Sequence, residues 1–161
     1  MRNGWMAALA MALTAALATP GPSAALEPRD GWAVAQSEKS YETLLADVKA
    51  AVTAQKMAVV TEAGPTEAAK ARLGVEIPGN RVIGVFRPDF AVRILTLSEA
   101  AMIEAPIRFY VTEQPNGGAA LSYKTPSFVF APYAAEGGPD LTAAAAELDV
   151  IFAAIAREAL E

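Results

Sequence analysis

The chain has 161 residues, of which 53% are apolar, 19% charged and 7% aromatic, and its net charge at pH 7 is −5. It has no cysteine and no histidine. This excludes disulfides, thiolate nucleophiles, iron–sulfur clusters, Ser-His-Asp catalysis and ordinary histidine-ligated zinc or haem sites. The acidic balance argues against a broad nucleic-acid surface, because such a surface needs clustered Lys and Arg side chains.

The first 25 residues have the layout of a secretory signal peptide. Arg2 supplies a positive start, residues 5–18 are almost entirely Ala, Leu and Met, and Pro-Gly-Pro at residues 20–22 breaks any helix. Ser23 and Ala25 place small residues three and one positions before the Ala25–Leu26 bond. We therefore expect cleavage after Ala25 and a periplasmic or secreted product. The alternatives are an uncleaved membrane anchor and a buried N-terminal helix.

Cleavage would leave residues 26–161, with 12 basic and 18 acidic side chains and a net charge of −6. A chain of this length forms one domain. Small exported domains commonly rely on disulfides, so hydrophobic packing alone must hold this cysteine-free domain together. No later segment approaches the length of a membrane span.

Hydrophobic periodicity predicts alternating strands and helices in the first half of this domain. Trp32–Gln36 is a short apolar strand. Ser40 caps a helix that runs to about residue 55, since apolar residues recur there at helical spacing. A strand over Met57–Thr61 and a short helix over Glu67–Leu73 follow.

The next segments are predicted to be three strands separated by a short helix and a hairpin. Arg81–Phe86 is apolar on both faces, which predicts a central strand covered on both sides. Residues 90–103 suggest a short helix plus irregular chain. Strands over Ile107–Thr112 and Ala120–Thr125 flank the hairpin signal Asn116-Gly117-Gly118.

An amphipathic helix closes the chain, with Pro139 at its start and Asp140 as its cap. Its apolar stripe consists of Leu141, Ala145, Leu148, Ile151, Phe152, Ile155 and Ala159. This helix should cover a sheet. The order β-α-β-α-β-α-β-β-α predicts an α/β (α+β) domain of two or loosely three layers around a mixed sheet.

Several local signatures resemble the domain of unknown function 302 family over about residues 32–159. They are Phe86-Arg87-Pro88, Ile94-Leu95, Glu104-Ala105-Pro106-Ile107-Arg108 and the late-strand Tyr123. The chain departs from the family pattern at Thr61–Gly64, where members often have Asp-His, and at Arg87, which replaces Gly-Asn. The resemblance implies a single β-α-β-rich domain, often exported, that forms a homodimer.

Polar side chains near strand ends form the candidate ligand site: Arg87, Arg108, Tyr110, Tyr123 and Lys124. Arg108 and Tyr110 share a face of their strand, and Lys124 lies on the partner strand across the hairpin. Sheet ends are common ligand sites, and Arg makes bidentate hydrogen bonds to carboxylates and phosphates. These residues predict binding of a small or anionic ligand; the alternative is a solvated strand face with cross-strand polar pairs.

The sequence offers little for catalysis or metal binding. Ser122 and Lys124 point the same way on their strand, but no nucleophile elbow exposes the serine and no sign of lysine desolvation is present. No acidic pair resembles a calcium loop. We therefore expect no metal and no cofactor, and we name no catalytic residue.

The segment over residues 128–133, Phe-Val-Phe-Ala-Pro-Tyr, is apolar and aromatic. It either packs under the last helix or lines a pocket or subunit contact.

The preferred hypothesis is an exported, non-catalytic domain that forms a homodimer and binds a small or acidic ligand. The alternatives are an envelope enzyme that uses Tyr, Arg and Lys chemistry, and an assembly protein that docks through residues 128–133.

The signal-peptide hypothesis predicts the N-terminus of the native protein. Mass spectrometry of the protein from its own cell should find Leu26 at the N-terminus, in an envelope or secreted fraction. A cytosolic product that retains Met1 would contradict the hypothesis.

Overall fold

Five strands form one sheet in the computed structural model, which describes residues 26–161. The strands are β1 (Trp32–Ser37), β2 (Ala58–Ala63), β3 (Asn80–Phe86), β4 (Ile107–Glu113) and β5 (Ala119–Lys124). Their order across the sheet is β1-β5-β4-β3-β2. The predicted signal peptide lies outside the described residues, so cleavage after Ala25 stays a prediction.

The helices lie between the strands and at the C-terminus. They are α1 (Tyr41–Ala54), α2 (Pro65–Leu73), α3 (Pro88–Leu97), α4 (Pro126–Phe130) and α5 (Ala134–Leu160), with 3-10 helices over Ala100–Glu104 and Ala131–Tyr133. The predicted cap of α1 is confirmed: Ser40 Oγ accepts a hydrogen bond from the Thr43 backbone N–H at 3.2 Å. Gly74 ends α2 in the left-handed conformation, with φ of 65°.

The α+β class and the helix-on-sheet layering are confirmed, but the sheet is antiparallel throughout rather than mixed. A strand–helix–strand order favours adjacent parallel strands. Here α1 instead connects β1 at one edge to β2 at the other, with β5, β4 and β3 between them. β1 and β2 therefore do not pair, whereas β2 with β3 and β3 with β4 pair antiparallel although α2 and α3 lie between them in the chain.

Helices cover one face of the sheet, which corrects the expectation that β3 is covered on both sides. The strand residues of the buried apolar cluster all lie on the covered face: Ile83, Val85, Ile107, Phe109, Val111, Ala119, Leu121 and Tyr123. Val82 and Phe86 point to the opposite face and are half-buried. The predicted division of β3 between two faces is thus right, and one of those faces is open.

The core between sheet and helices centres on three aromatic rings. Phe109 of β4 stacks on Phe152 of α5 with ring centroids 4.4 Å apart, and Tyr123 of β5 meets both rings edge-on. The predicted apolar stripe of α5 supplies this layer: Leu141, Ala145, Leu148, Phe152, Ile155 and Ala159 are buried, and Ile151 is half-buried.

Two boundaries near the C-terminus differ from the sequence prediction. Residues 126–133 are helical because Pro126 occupies the first turn of α4 and Thr125 Oγ1 caps it, accepting from the Phe128 N–H. Gly138, with φ of 62°, breaks α5 just before Pro139. Asp140 therefore lies inside the first turn after the break and is not the cap. Within residues 26–161, no helix has the length and hydropathy to cross a membrane.

The aromatic core generates a stability prediction. Phe152→Ala should lower the free energy of unfolding by about 3–5 kcal/mol, because it leaves a cavity against two other rings. Val150→Ala, on the same helix but 71% exposed, is the matched control and should change it by about 0.5 kcal/mol or less. Urea unfolding would measure both. Equal losses in the two variants would contradict the packing described here.

Candidate functional site

A groove with a volume of about 560 Å³ runs across the open face of the sheet. All five strands contribute to it, together with the start of α2, the end of the first 3-10 helix and α4. Its lining residues are Trp32, Ala63, Pro65, Asn80, Val82, Glu104, Ile107, Arg108, Tyr110, Tyr123, Lys124 and Val129. The volume is in the range of small-molecule sites, and most of the lining is apolar.

The strand register places two cations side by side at one end of this groove. Trp32 of β1 pairs with Lys124 of β5, and Arg108 of β4 pairs with Gly84 of β3. The β4–β5 pairing ends where Phe109 faces Tyr123, so Arg108 and Lys124 are the next residues along these two adjacent strands. The Asn116–Gly118 hairpin fixes that register; Gly117 adopts φ of 86° in its turn.

Aromatic rings surround the cationic end. The Lys124 ammonium nitrogen lies 5.8 Å from the ring centroid of Trp32 and 6.0 Å from that of Phe128. The same indole ring also contacts Arg29, whose guanidinium carbon lies 5.1 Å from the Trp32 ring centroid. Within residues 26–161, neither Arg108 nor Lys124 forms an ion pair. Their positive charges are therefore available to a ligand.

A second row of residues crosses the open face of the sheet, and Tyr110, Val82 and Ala63 of this row line the groove. The register aligns Val34, Ser122, Tyr110, Val82 and Ala63 across the sheet. Ser122 is 1% exposed, and its hydroxyl has no hydrogen-bond partner among the described residues. An unpaired buried hydroxyl is uncommon in folded proteins and is often found at functional sites.

Glu104 is the acidic residue of the lining. Its carboxylate accepts a hydrogen bond from the Tyr133 hydroxyl at 2.8 Å, and this bond raises the pKa of Tyr133. The carboxylate is therefore engaged with a phenol rather than with the cations.

The pKa values of the two groove tyrosines, Tyr110 and Tyr123, are both raised. Burial raises the pKa of Tyr123, and the Asp149 carboxylate raises it further. Partial burial likewise raises the pKa of Tyr110, with a further contribution from Tyr41. Both phenols are thus neutral at physiological pH and act as hydrogen-bonding groups.

Four of the five predicted site residues border the groove, in two different ways. Arg108, Tyr110 and Lys124 lie on the open face. Tyr123 lies on the covered face, in the aromatic core, and reaches the groove at the sheet end. The alternation of residues along β5 puts its side chain on the face opposite to Lys124.

Arg87 lies apart from the groove. Its guanidinium makes two hydrogen bonds to Asp89, at 2.8 and 2.9 Å, and lies 4.4 Å from the Phe90 ring centroid. The side-chain hydrogen bond lowers the pKa of Asp89. The charge of Arg87 is thereby engaged within the first turn of α3.

Sequence reasoning missed Trp32, Val82 and Arg29 as members or neighbours of the site. The sequence predicts Trp32 in a strand, but its pairing with Lys124 joins residues far apart in the chain. It predicts that Val82 lies on a covered face, because nothing local shows that this face is open.

The segment over residues 128–133 divides between core and surface. Phe130 is buried, Val129 borders the groove, and Phe128 is 44% exposed. Phe128 packs on Gly31, where a Cβ atom would overlap its ring.

In the part of the chain that the structure describes, no three acidic side chains form a potential metal-binding group. The expectation of no metal and no cofactor stays a prediction.

Fold and site together define an α+β domain with helices on one sheet face and a cation-bearing groove on the other. A solved structure with this fold, the uncharacterized conserved protein DUF302 from Bacillus stearothermophilus, matches with a TM-score of 0.69 at 15% sequence identity. The match covers 81% of this chain and 99% of that one.

The family model for the domain of unknown function DUF302 matches residues 33–158. The chain belongs to the DUF302 family, which confirms the resemblance predicted from its signatures. No curated protein matches the chain.

The burial of Tyr123 generates a pH prediction. Its pKa is raised above the unfolded value of about 10. At a pH between the unfolded and the folded pKa, the unfolded chain loses the phenolic proton while the folded chain keeps it. The free energy of unfolding therefore falls as pH rises above about 10. Tyr123→Phe should lose less stability than the wild type between about pH 8 and pH 11, measured by urea unfolding. Equal losses would contradict this effect of burial.

Proposed function

We propose that this protein is an exported, non-catalytic binding domain whose open sheet face takes a small anionic ligand. One observation carries the proposal: Arg108 and Lys124, without ion-pair partners among the described residues, lie side by side at one end of a groove of about 560 Å³. In a chain with net charge −5, such a pair of cations attracts an anion from solution.

The chemistry of the two cations suits a carboxylate, sulfonate or phosphate. The Arg108 guanidinium offers two parallel N–H donors to such a group, and Lys124 adds a point charge. The apolar remainder of the lining favours a ligand that also has an apolar body.

The state of the titratable groups favours binding over proton transfer. A general base works best with a pKa near the operating pH, yet the pKa values of Tyr110 and Tyr123 are both shifted upward. Lys124 is exposed, whereas a catalytic amine needs desolvation to lose its proton. An enzyme that uses Tyr, Arg and Lys chemistry is therefore the less favoured function.

Export and homodimer formation complete the proposal. Export is supported by the signal-peptide layout of residues 1–25. The homodimer stays a prediction from the family resemblance, and light scattering of the purified protein would test it. Docking through residues 128–133 is less favoured, because Phe130 belongs to the core and Tyr133 is hydrogen-bonded to Glu104.

Fluorescence titration would test anion binding. Anilinonaphthalene sulfonate, an anionic fluorophore with an apolar body, should bind saturably; phenylnaphthylamine, which lacks the sulfonate, should bind about tenfold more weakly or worse. Arg108→Ala and Lys124→Ala should each weaken sulfonate binding by about tenfold.

Arg87→Ala is the matched control, because it removes the same type of charge outside the groove. It should leave the affinity within about twofold of the wild type. Saturable binding that survives both groove substitutions, or equal binding of the two dyes, would overturn the proposal.

A further inference from the structure

We infer that the ligand is a straight-chain amphiphile with one anionic head group, whose apolar chain lies over β3 towards the end of β2. This inference rests on the proposed function and names the class of ligand. It follows from the unequal chemistry of the two groove ends.

The groove is longer than a compact anion needs. From Lys124 on β5 to Ala63 on β2 the lining crosses three strand spacings, which is about 14 Å. A phosphate or acetate bound at Arg108 would contact only the cationic end. The remaining length suits a ligand that extends across the sheet.

The far end of the groove offers a surface for an apolar chain. Val82, Ala63 and Pro65 line it, and none of them carries a polar side-chain atom. Asn80 is the polar residue at this end, and its amide nitrogen already donates to Pro78 O at 3.0 Å and Thr66 Oγ1 at 3.4 Å.

The distribution of charge favours one anionic group per ligand. The charged side chains of the lining, Arg108, Lys124 and Glu104, come from the end of the sheet where β4 begins and β5 ends. A dianion with separated charges would place its second charge over Val82, where no cation of the lining compensates its desolvation. A single head group with an apolar tail matches both ends.

Competition experiments would test the chain. Octanoate, decanoate and dodecanoate, each below its micelle concentration, should displace anilinonaphthalene sulfonate with an affinity that rises with length. The rise should be up to about fourfold for each added methylene group that the groove covers. Decanol, which has no carboxylate, should compete at least about tenfold more weakly than decanoate.

Two groove variants would locate the chain. Val82→Ser should reduce the dependence on chain length and leave octanoate binding less affected. Ala63→Asp, at an exposed position, should weaken dodecanoate more than octanoate without a risk to folding. Val92→Ser, at a 67% exposed valine of α3, is the matched control and should change neither.

The outcomes separate the two proposals. Saturable, Arg108-dependent dye binding with no chain-length dependence would overturn the amphiphile and leave the anion site standing. Absence of dye and alkanoate binding would overturn both. Binding to vesicles of phosphatidylglycerol without any binding of monomeric alkanoates would also overturn the amphiphile, because the surface would then recognise a membrane.

Discussion

The pairing of β4 with β5 fixes both the core of the domain and the position of its site. Phe109 and Tyr123 face each other across these strands, and both pack against Phe152 of α5. Because side chains alternate between sheet faces, burying these rings sends Arg108 and Lys124 to the other face. A slip of one residue would bring charges under α5, which is costly, so the core that stabilises the fold also positions the site.

Ion pairs elsewhere in the molecule neutralise several cations that lie outside the groove. Arg81 pairs with Glu67 and Glu62, Arg87 with Asp89, and Arg93 with Glu147. Ion pairs at such partly exposed positions add little to stability, but they neutralise the charge of their arginines. Arg108 and Lys124 keep theirs in a protein with an excess of acidic residues. The fold thus leaves two unpaired cations of the described residues in the lining of the groove, beside Trp32.

The two faces of the sheet differ in function: one is packed against the helices and stabilises the fold, and the other carries the groove. The helical layer and the covered sheet face bury the apolar cluster, which replaces the disulfides that the chain lacks. The helices do not pack on the open face, so its side chains need not be apolar. They range from cationic at Lys124 to apolar at Val82. Tyr123 belongs to both layers, because its ring is in the core and its edge borders the groove. A change at this residue would affect stability as well as binding.

Features that depend on neighbours in the chain can be predicted from the amino-acid sequence. It located the five strands and the amphipathic helices, divided β3 and β4 between two faces, and indicated the family through its local signatures. Periodicity carries this information because it is a property of one segment at a time. The same reasoning does not predict α4, because Thr125 and Pro126 also fit the end of a strand.

The strand order, the covered face of the sheet and the residues that line the groove follow from long-range contacts and cannot be predicted from local patterns. The pairing of Trp32 with Lys124 joins the first strand to the last, and no pattern within either segment specifies it. Arg87 and Arg108 look alike in the sequence, yet one is engaged by Asp89 at the start of α3 while the other faces a groove. Such differences arise from contacts between distant segments. These contacts form when the helices pack on one face of the sheet and bury it.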